Sequence, residues 1–241
     1  MSTISDRLTE IRERIASAAR SAGRDPSSIR LVAVSKTFPI ESIADAFAAG
    51  QRDFGENRVQ EALQKVEQAA LQKIDRSADQ SIRWHLLGHL QTNKARKAAP
   101  AFAMIQSVDS VELLHKLEQA AADTQHAPEL LIQVDLAGEA TKFGVPPGEM
   151  PRLFDTAAAC RAAKVVGLMT LPPFPETPEE SRPWFRQLRE LRDQWQASGV
   201  PASMLRELSM GMSGDFEVAV QEGATIVRVG TAIFGSRHVE H

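Results

Sequence analysis

RLVAVSKT, residues 30–37, is where the chain changes its period. Before it, Ile4, Leu8, Ile11 and Ile15 recur at helical spacing up to about Ser21, and AGRDPSS (22–28) closes that helix with turn-forming residues. Leu31 to Val34 then form a continuous apolar run of strand length that stops at Ser35, Lys36 and Thr37. A helical pattern resumes from Ile40 to Ala49. Strand followed by helix is the unit from which the rest is read.

The same alternation repeats to the end of the chain. Further strands are predicted at RDF (52–54), IRWHLL (82–87), AMIQSV (103–108), LLIQVDL (130–136), KVVGLM (164–169), LRELSM (205–210) and TIVRVG (225–230). Helical patterns fit at 57–70, 92–99, 111–123, 147–163, 178–197 and 214–222. Eight strands alternating with helices satisfy the right-handed crossover rule as a closed barrel or as an open doubly wound sheet. The strand count favours closure, and no GxGxxG follows an early strand to argue for a dinucleotide-binding sheet. No linker or low-complexity tract interrupts the pattern. The expected fold is therefore α/β: a single (β/α)8 TIM-type barrel with an extra N-terminal helix, one domain over residues 1–241.

Local chemistry supports several of these elements. Asp109 with Glu112, and Thr177 with Pro178 and Glu180, read as helix starts, each with an acceptor three residues before a carboxylate. Phe185, Leu188, Leu191 and Trp195 recur at helical spacing and read as core. Cys160 lies in the alanine-rich run 156–163 and reads as a buried helix position; as the only cysteine it excludes an internal disulfide.

Composition narrows the partners. With 43% hydrophobic and 24% charged residues and a net charge of −3, the chain has no general basic face, so nucleic acid and anionic membrane are not expected. Lys94, Arg96 and Lys97 read as a solvated helix face. Asp6, Glu10, Arg12, Glu13 and Arg14 stand where a signal peptide would need an apolar run, and no stretch approaches the ~18 apolar residues of a membrane span. A cytoplasmic protein is expected. The chain contains no tyrosine.

In such a barrel the functional face lies at the C-terminal ends of the strands, where Lys36 falls. Val32, Val34 and Lys36 share one strand face, so the amine sits in partly desolvated surroundings. Desolvation favours the neutral amine that attacks an aldehyde to form an imine. Alone, Lys36 would read more simply as a lysine reaching out to water. The last two strands, however, end in loops suited to phosphate. Ser209, Met210, Gly211, Met212, Ser213 and Gly214 close one, and Gly230 and Thr231 the other. Glycines let backbone N–H groups approach an anion, and Ser213 and Thr231 add hydroxyls. Either loop alone reads equally well as a tight turn with a cap.

An amine at one edge of the mouth and a phosphate cradle at the other suit a ligand carrying an aldehyde and a phosphate ester, such as pyridoxal 5′-phosphate (PLP). Arg228, two residues before Gly230, would reach the pyridine nitrogen, or else serve a structural ion pair. An arginine there donates to an unprotonated nitrogen and weakens the ring as an electron sink, which predicts binding with poor carbanion chemistry. His85 and His89 need not converge and are joined by no further metal-ligand spacing, so no metal is expected. Lys142 and Lys164 read as solvated surface amines.

The stretches LVAVSKTFP from Leu31, DFGENRVQE from Asp53, WHLLGHLQTNKAR from Trp84, QVDLAGEATKFGV from Gln133, GLMTLPP from Gly167, SMGMSGDFEVAV from Ser209 and VRVGTAIFG from Val227 span nearly the whole chain. Together they resemble the pyridoxal phosphate homeostasis proteins, whose barrel is similar to the N-terminal domain of bacterial alanine racemases. The resemblance implies a covalent PLP imine on Lys36. It implies Ser209, Met210, Gly211, Ser213, Gly230 and Thr231 around the phosphate, Arg228 at the pyridine nitrogen, and Asn57 along the cofactor edge. It further implies a role in intracellular vitamin B6 homeostasis, by buffering PLP or delivering it to PLP-dependent apo-enzymes, with no catalytic residue assigned; a monomer is expected. His89 stands where such proteins often have proline, Thr92 where serine is usual and Val229 where isoleucine is usual.

Two enzymatic alternatives share parts of this pattern. A PLP-dependent amino-acid racemase would share the barrel and the lysine. The racemases that this barrel resembles oppose that lysine with a tyrosine, supplied across a dimer by a second domain, and neither is expected here. Two-base chemistry needs a second positioned acid or base. A barrel aldolase using Lys36 on a phosphosugar would also fit the lysine and the phosphate loops.

Overall fold

A computed structural model of the chain describes residues 2–74, 81–124, 126–138 and 143–235. Every predicted apolar run contains a strand: β1 (Arg30–Val34), β2 (Asp53–Glu56), β3 (Arg83–Leu86), β4 (Met104–Val108), β5 (Glu129–Gln133), β6 (Lys164–Met169), β7 (Glu207–Ser209) and β8 (Ile226–Val229). All pair in parallel in sequence order, and β8 returns to pair with β1, closing the barrel. In that closing ladder Val32 stands opposite Arg228 and Ala33 opposite Val229.

The helices are α1 (Ile4–Ser21), α2 (Ile40–Ala48), α3 (Val59–Leu71), α4 (Ala95–Ala98), α5 (Val111–Thr124), α6 (Met150–Ala159), α7 (Arg182–Ala197), α8 (Phe216–Gln221) and α9 (Thr231–Phe234). The extra helix α1 begins in a capping box between Thr3 and Asp6 and buries Leu8, Ile11 and Ile15. It packs against α8, α9 and α2. Arg7 donates to the carbonyl of Ile233, Arg14 Nε to Glu217 (2.7 Å), and Arg24 to the carbonyl of Val220 (2.6 Å).

The core has two layers. Val32, Met104, Leu131, Val166, Met169 and Ile226 fill the barrel interior, and a larger layer that includes Phe54, Phe102, Phe185 and Phe216 lies between sheet and helices. Phe185 and Leu188 of α7 belong to it fully, whereas Leu191 and Trp195 are half-buried, and Trp195 meets the edge of Phe154 at 5.3 Å between ring centroids.

Three local expectations are corrected. Helix α6 ends at Ala159, so Cys160 is half-buried in an extended conformation and does not occupy a buried helical position. The cause is Glu118 of α5, whose carboxylate accepts the N–H groups of Arg161 (2.9 Å), Ala162 (3.1 Å) and Ala163 (2.7 Å) and holds them out of the helix. At the start of α5 the acceptor is Ser110, which takes the Leu113 N–H at 3.2 Å, while Asp109 faces His89. Thr177 makes no cap bond to the backbone; its hydroxyl donates to Glu180 at 3.2 Å, and α7 proper begins only after a 3-10 turn at Pro178–Ser181. Among the described residues no helix is long and apolar enough to cross a membrane.

Candidate functional site at the barrel rim

Because β1 pairs with β8 and β8 with β7, the loops that follow these three strands are consecutive around the rim. The amine and the phosphate loops are therefore neighbours, not occupants of opposite edges, since closure joins the first strand to the last. Contact is close: a Cβ on Gly230 would lie 3.2 Å from the carbonyl oxygen of Val34.

Lys36 is half-buried, between buried Ser35 and exposed Thr37. Thr37 has a φ of +69°, a left-handed conformation that costs a residue with a Cβ about 1 kcal/mol or more. The turn is held by polar contacts from below. The Thr37 N–H donates to Glu61 Oε1 at 2.5 Å, and the Ser35 hydroxyl to Glu56 Oε1 at 2.6 Å. Lys65 Nζ then donates to the Ser35 carbonyl, Glu56 Oε1 and Glu61 Oε1, each at 2.8 Å. Burial raises the Glu56 carboxyl above its usual range, opposed by the bonds from Lys65 and Ser35, and its Oε2 has no partner among the described residues. This clamp escaped the sequence reading. Its one signal, Glu61 and Lys65 four residues apart on a helix, is also that of an ordinary surface ion pair.

On the neighbouring loops, Ser213 Oγ accepts the Gly230 N–H at 3.1 Å and lies 3.5 Å from the Ala232 nitrogen, joining the two segments. Asp215 accepts the Met212 N–H (2.6 Å) and the Ser181 hydroxyl (2.7 Å), fixing the base of the first loop. Gly211 needs its missing side chain twice over: its φ is +92°, and a Cβ would fall 2.5 Å from that of Ala219. The N–H groups of Ser213, Gly214 and Thr231 have no acceptor among the described residues, and all three positions are half-buried or exposed. Three unsatisfied main-chain donors on adjoining turns are a donor set suited to an anion such as a phosphate ester.

The other predicted residues divide by depth. Met210 is fully buried among the helix-facing side chains, so only its main chain borders the loop. Ser209 is also fully buried, with its hydroxyl turned into the barrel toward Gln106 Oε1 (2.6 Å). Arg228, 3% exposed, donates to Ser209 Oγ (2.5 Å) and to the carbonyl of Thr170 (2.9 Å). No ion pair joins it to a carboxylate among the described residues, so it is not a structural ion-pair arginine. Burial pulls its guanidinium down to about 10, against the pull of the Asp215 charge, and it stays protonated at neutral pH. Asn57, half-buried after β2, has no side-chain partner among the described residues, and its carbonyl would lie 2.1 Å from a Cβ on Gly88.

The remaining candidates lie elsewhere. His85 is buried inside the barrel, whereas His89 faces Asp109 at 2.8 Å and stacks on Phe143 with centroids 3.7 Å apart. Among the described residues no group of three metal-ligating side chains forms. Lys164 is exposed at the start of β6, at the end of the barrel away from Lys36, and Lys142 lies outside the described residues.

Fold and rim together define the class. The family described as alanine racemase, N-terminal domain, matches residues 7–238. The alanine racemase of Clostridium difficile 630 superposes with a TM-score of 0.66 at 13% identity over 98% of this chain and 58% of that one, which is a likeness of fold alone. Within the class the affinity is narrower. The chain is 44% identical over 232 residues to the pyridoxal phosphate homeostasis protein of Aquifex aeolicus (96% of this chain, 97% of that one) and 39% identical over 240 residues to that of Homo sapiens (95% and 85%). The structure of PipY from Synechococcus elongatus PCC7942 with PLP bound superposes with a TM-score of 0.80 at 41% identity, covering 97% of this chain and 100% of that one. This chain belongs to the pyridoxal phosphate homeostasis protein family.

Proposed function

We propose that this chain binds PLP at the barrel rim, holds it as a Schiff base on Lys36, and takes part in intracellular PLP homeostasis by buffering the cofactor or delivering it to PLP-dependent apo-enzymes. The observation that carries the reading is the set of N–H groups at Ser213, Gly214 and Thr231 that have no acceptor among the described residues, on loops adjoining the Lys36 turn, in a family that includes a relative with bound PLP.

PLP supplies an aldehyde for the amine and a pyridine ring that can act as an electron sink. The residues of this chain fit that ligand. The free N–H groups, with the Ser213 and Thr231 hydroxyls, would receive the phosphate. Gly211 and Gly230 keep side chains out of the cradle, Ser209 and Met210 form its floor through the strand end, and Asn57 offers an amide without a partner among the described residues at the cofactor edge. Arg228 would face the pyridine nitrogen as a protonated donor, leaving the nitrogen without its own proton and the ring a poor electron sink. The clamp under Ser35 and Thr37 holds the turn that carries Lys36. With no tyrosine in the chain to act as a second base, the site is read as a carrier and not a racemase. The unit is proposed to work as one barrel over residues 1–241, monomeric and cytoplasmic, with no metal, nucleic acid or membrane partner.

The test combines spectroscopy with exchange. Purified protein mixed with PLP should show a visible band that borohydride removes, with the label on Lys36. Lys36→Ala should lose the reducible chromophore while retaining weak PLP binding through the phosphate loops. A reducible band that survives in Lys36→Ala would refute the Schiff base. Rapid α-carbon exchange of L-alanine in deuterated water, with D-alanine formed, would refute the carrier reading.

A further inference from the structure

Beneath the rim a polar chain runs through the barrel. Arg228 Nη1 donates to Ser209 Oγ (2.5 Å), Ser209 Oγ donates to Gln106 Oε1 (2.6 Å), Gln106 Nε2 lies 3.1 Å from His85 Nδ1, and His85 Nε2 lies 2.9 Å from Asp53 Oδ1. At the far end Arg83 Nε donates to Asp53 Oδ1 at 2.8 Å. The five residues from Arg228 to Asp53 sit on β8, β7, β4, β3 and β2, and none is more than 5% exposed. The chain ends at a cavity of about 180 Å³ whose lining includes Arg30, Asp53, Arg83 and His85.

Every donor from Arg228 to His85 points the same way. Burial opposes ionisation of Asp53, but the bonds from His85 and Arg83 outweigh it and bring the carboxyl down to about 2, so it has no proton to give. His85 Nε2 therefore carries the hydrogen. Burial also lowers the imidazole below its ordinary value and keeps the ring neutral, which leaves Nδ1 as a bare acceptor. Gln106 must then present its NH2 to His85 and its oxygen to Ser209. The Ser209 hydroxyl donates to that oxygen and is left with only lone pairs for Arg228. Tautomer, amide orientation and hydroxyl rotor are thus set in turn by the Asp53 carboxylate at the other end of the chain of bonds, and such aligned bonds reinforce one another.

A buried polar chain has to be justified, because an apolar filling of the same space is often no less stable. Here it ends on a buried guanidinium that has no ion pair with a carboxylate among the described residues. We propose that Asp53, His85 and Gln106 are positioning residues, which fix the Ser209 hydroxyl and through it the orientation of Arg228 toward the ring nitrogen of the cofactor. This rests on the PLP reading of the rim.

The decisive comparison is between Ser209→Ala, which removes the direct contact, and Gln106→Leu, which cuts the chain one link further away. In cofactor-free protein the guanidinium 15N signal of Arg228, assigned by its loss in Arg228→Lys, should be restricted in wild type and shift or broaden alike in both variants. With PLP added, both should displace the visible band in the same direction and weaken binding about tenfold, the scale of one charged hydrogen bond. An Arg228 signal and a PLP spectrum in Gln106→Leu that match wild type, with only Ser209→Ala altered, would overturn the proposal. If Gln106→Leu does not fold, Asp53→Asn, which conserves volume, takes its place under the same criteria. A wild-type protein that forms no band with PLP would sink the cofactor reading alone, and the NMR comparison would still decide the chain.

Discussion

Arg228 shows how little a residue's type says about its role until its neighbours are placed. In the sequence it was as much an ion-pair arginine as a cofactor contact. In the barrel it is buried and held by a hydroxyl and a carbonyl, with no ion-pair partner among the described residues. Removing its charge should therefore be felt at the cofactor more than in a surface ion-pair network. Arg228→Glu places an acceptor where a donor stood, which should favour a protonated pyridine nitrogen; absorbance titration with PLP should show a shifted band or weaker binding. An unchanged spectrum and affinity would place Arg228 away from the ring. Lys36 follows the end of β1, as its place in the sequence implied, but nothing in its own residue type announced the strained Thr37 that follows or the clamp beneath.

At the scale of elements, the clamp joins β1, β2 and α3 through Lys65, Glu56 and Glu61. Lys65 is 6% exposed and Glu56 is fully buried, so removing Lys65 leaves Glu56 without its opposite charge, with only the Ser35 hydroxyl still donating to it. Lys65→Met should cost about 3–5 kcal/mol of unfolding free energy. The double variant Lys65→Met with Glu56→Leu should recover much of that loss, while both loosen the Ser35–Thr37 turn and reduce PLP capture. Denaturant melts of the single and double variants check this. A single variant no less stable than the double would show that the contact carries no structural weight. A similar tie binds α7 to the end of α8, where Glu222 receives Arg182 (3.0 Å), Arg186 (3.1 Å) and Arg189 (2.9 Å). None of these pairings lies within one helix, so sequence spacing did not reveal them.

For the whole molecule, the buried titrations set how stability follows pH. Asp53 is held at about 2 against an ordinary 3.8, so its contribution is complete above the unfolded value and is lost as the pH falls toward 2. That loss should amount to roughly 2–3 kcal/mol. His85 is held below its ordinary 6.5, so the unfolded chain takes up its proton first as the medium is acidified, and stability declines from there downward. Glu56, raised above 4.5, acts in the opposite sense, because there the folded chain binds the proton first. Thermal melts between pH 7 and 5 should show a decline governed by His85, of at most about 1.4 kcal/mol per pH unit. His85→Gln should flatten that decline or reverse it. An equally steep decline in His85→Gln would assign the effect to another group.

The sequence by itself determined the number and order of the strands, the extra N-terminal helix and the rim residues that follow β1, β7 and β8, and its strand count favoured a closed barrel over an open sheet. All of these rest on local quantities: apolar periodicity, glycine in tight turns, and the rule that parallel strands need crossovers. Only the tertiary structure decided that the Lys36 turn and the phosphate loops are neighbours, since closure is a relation between the two ends of the chain. It also decided that Glu118 ends α6 early, that Lys65 is buried, and that Asp53, His85, Gln106, Ser209 and Arg228 form one line. These residues lie on five strands and are brought within bonding distance only when the barrel shuts. Hydrogen bonds between residues far apart in sequence leave no periodic trace along it, and so the chemistry beneath the rim became legible only in three dimensions.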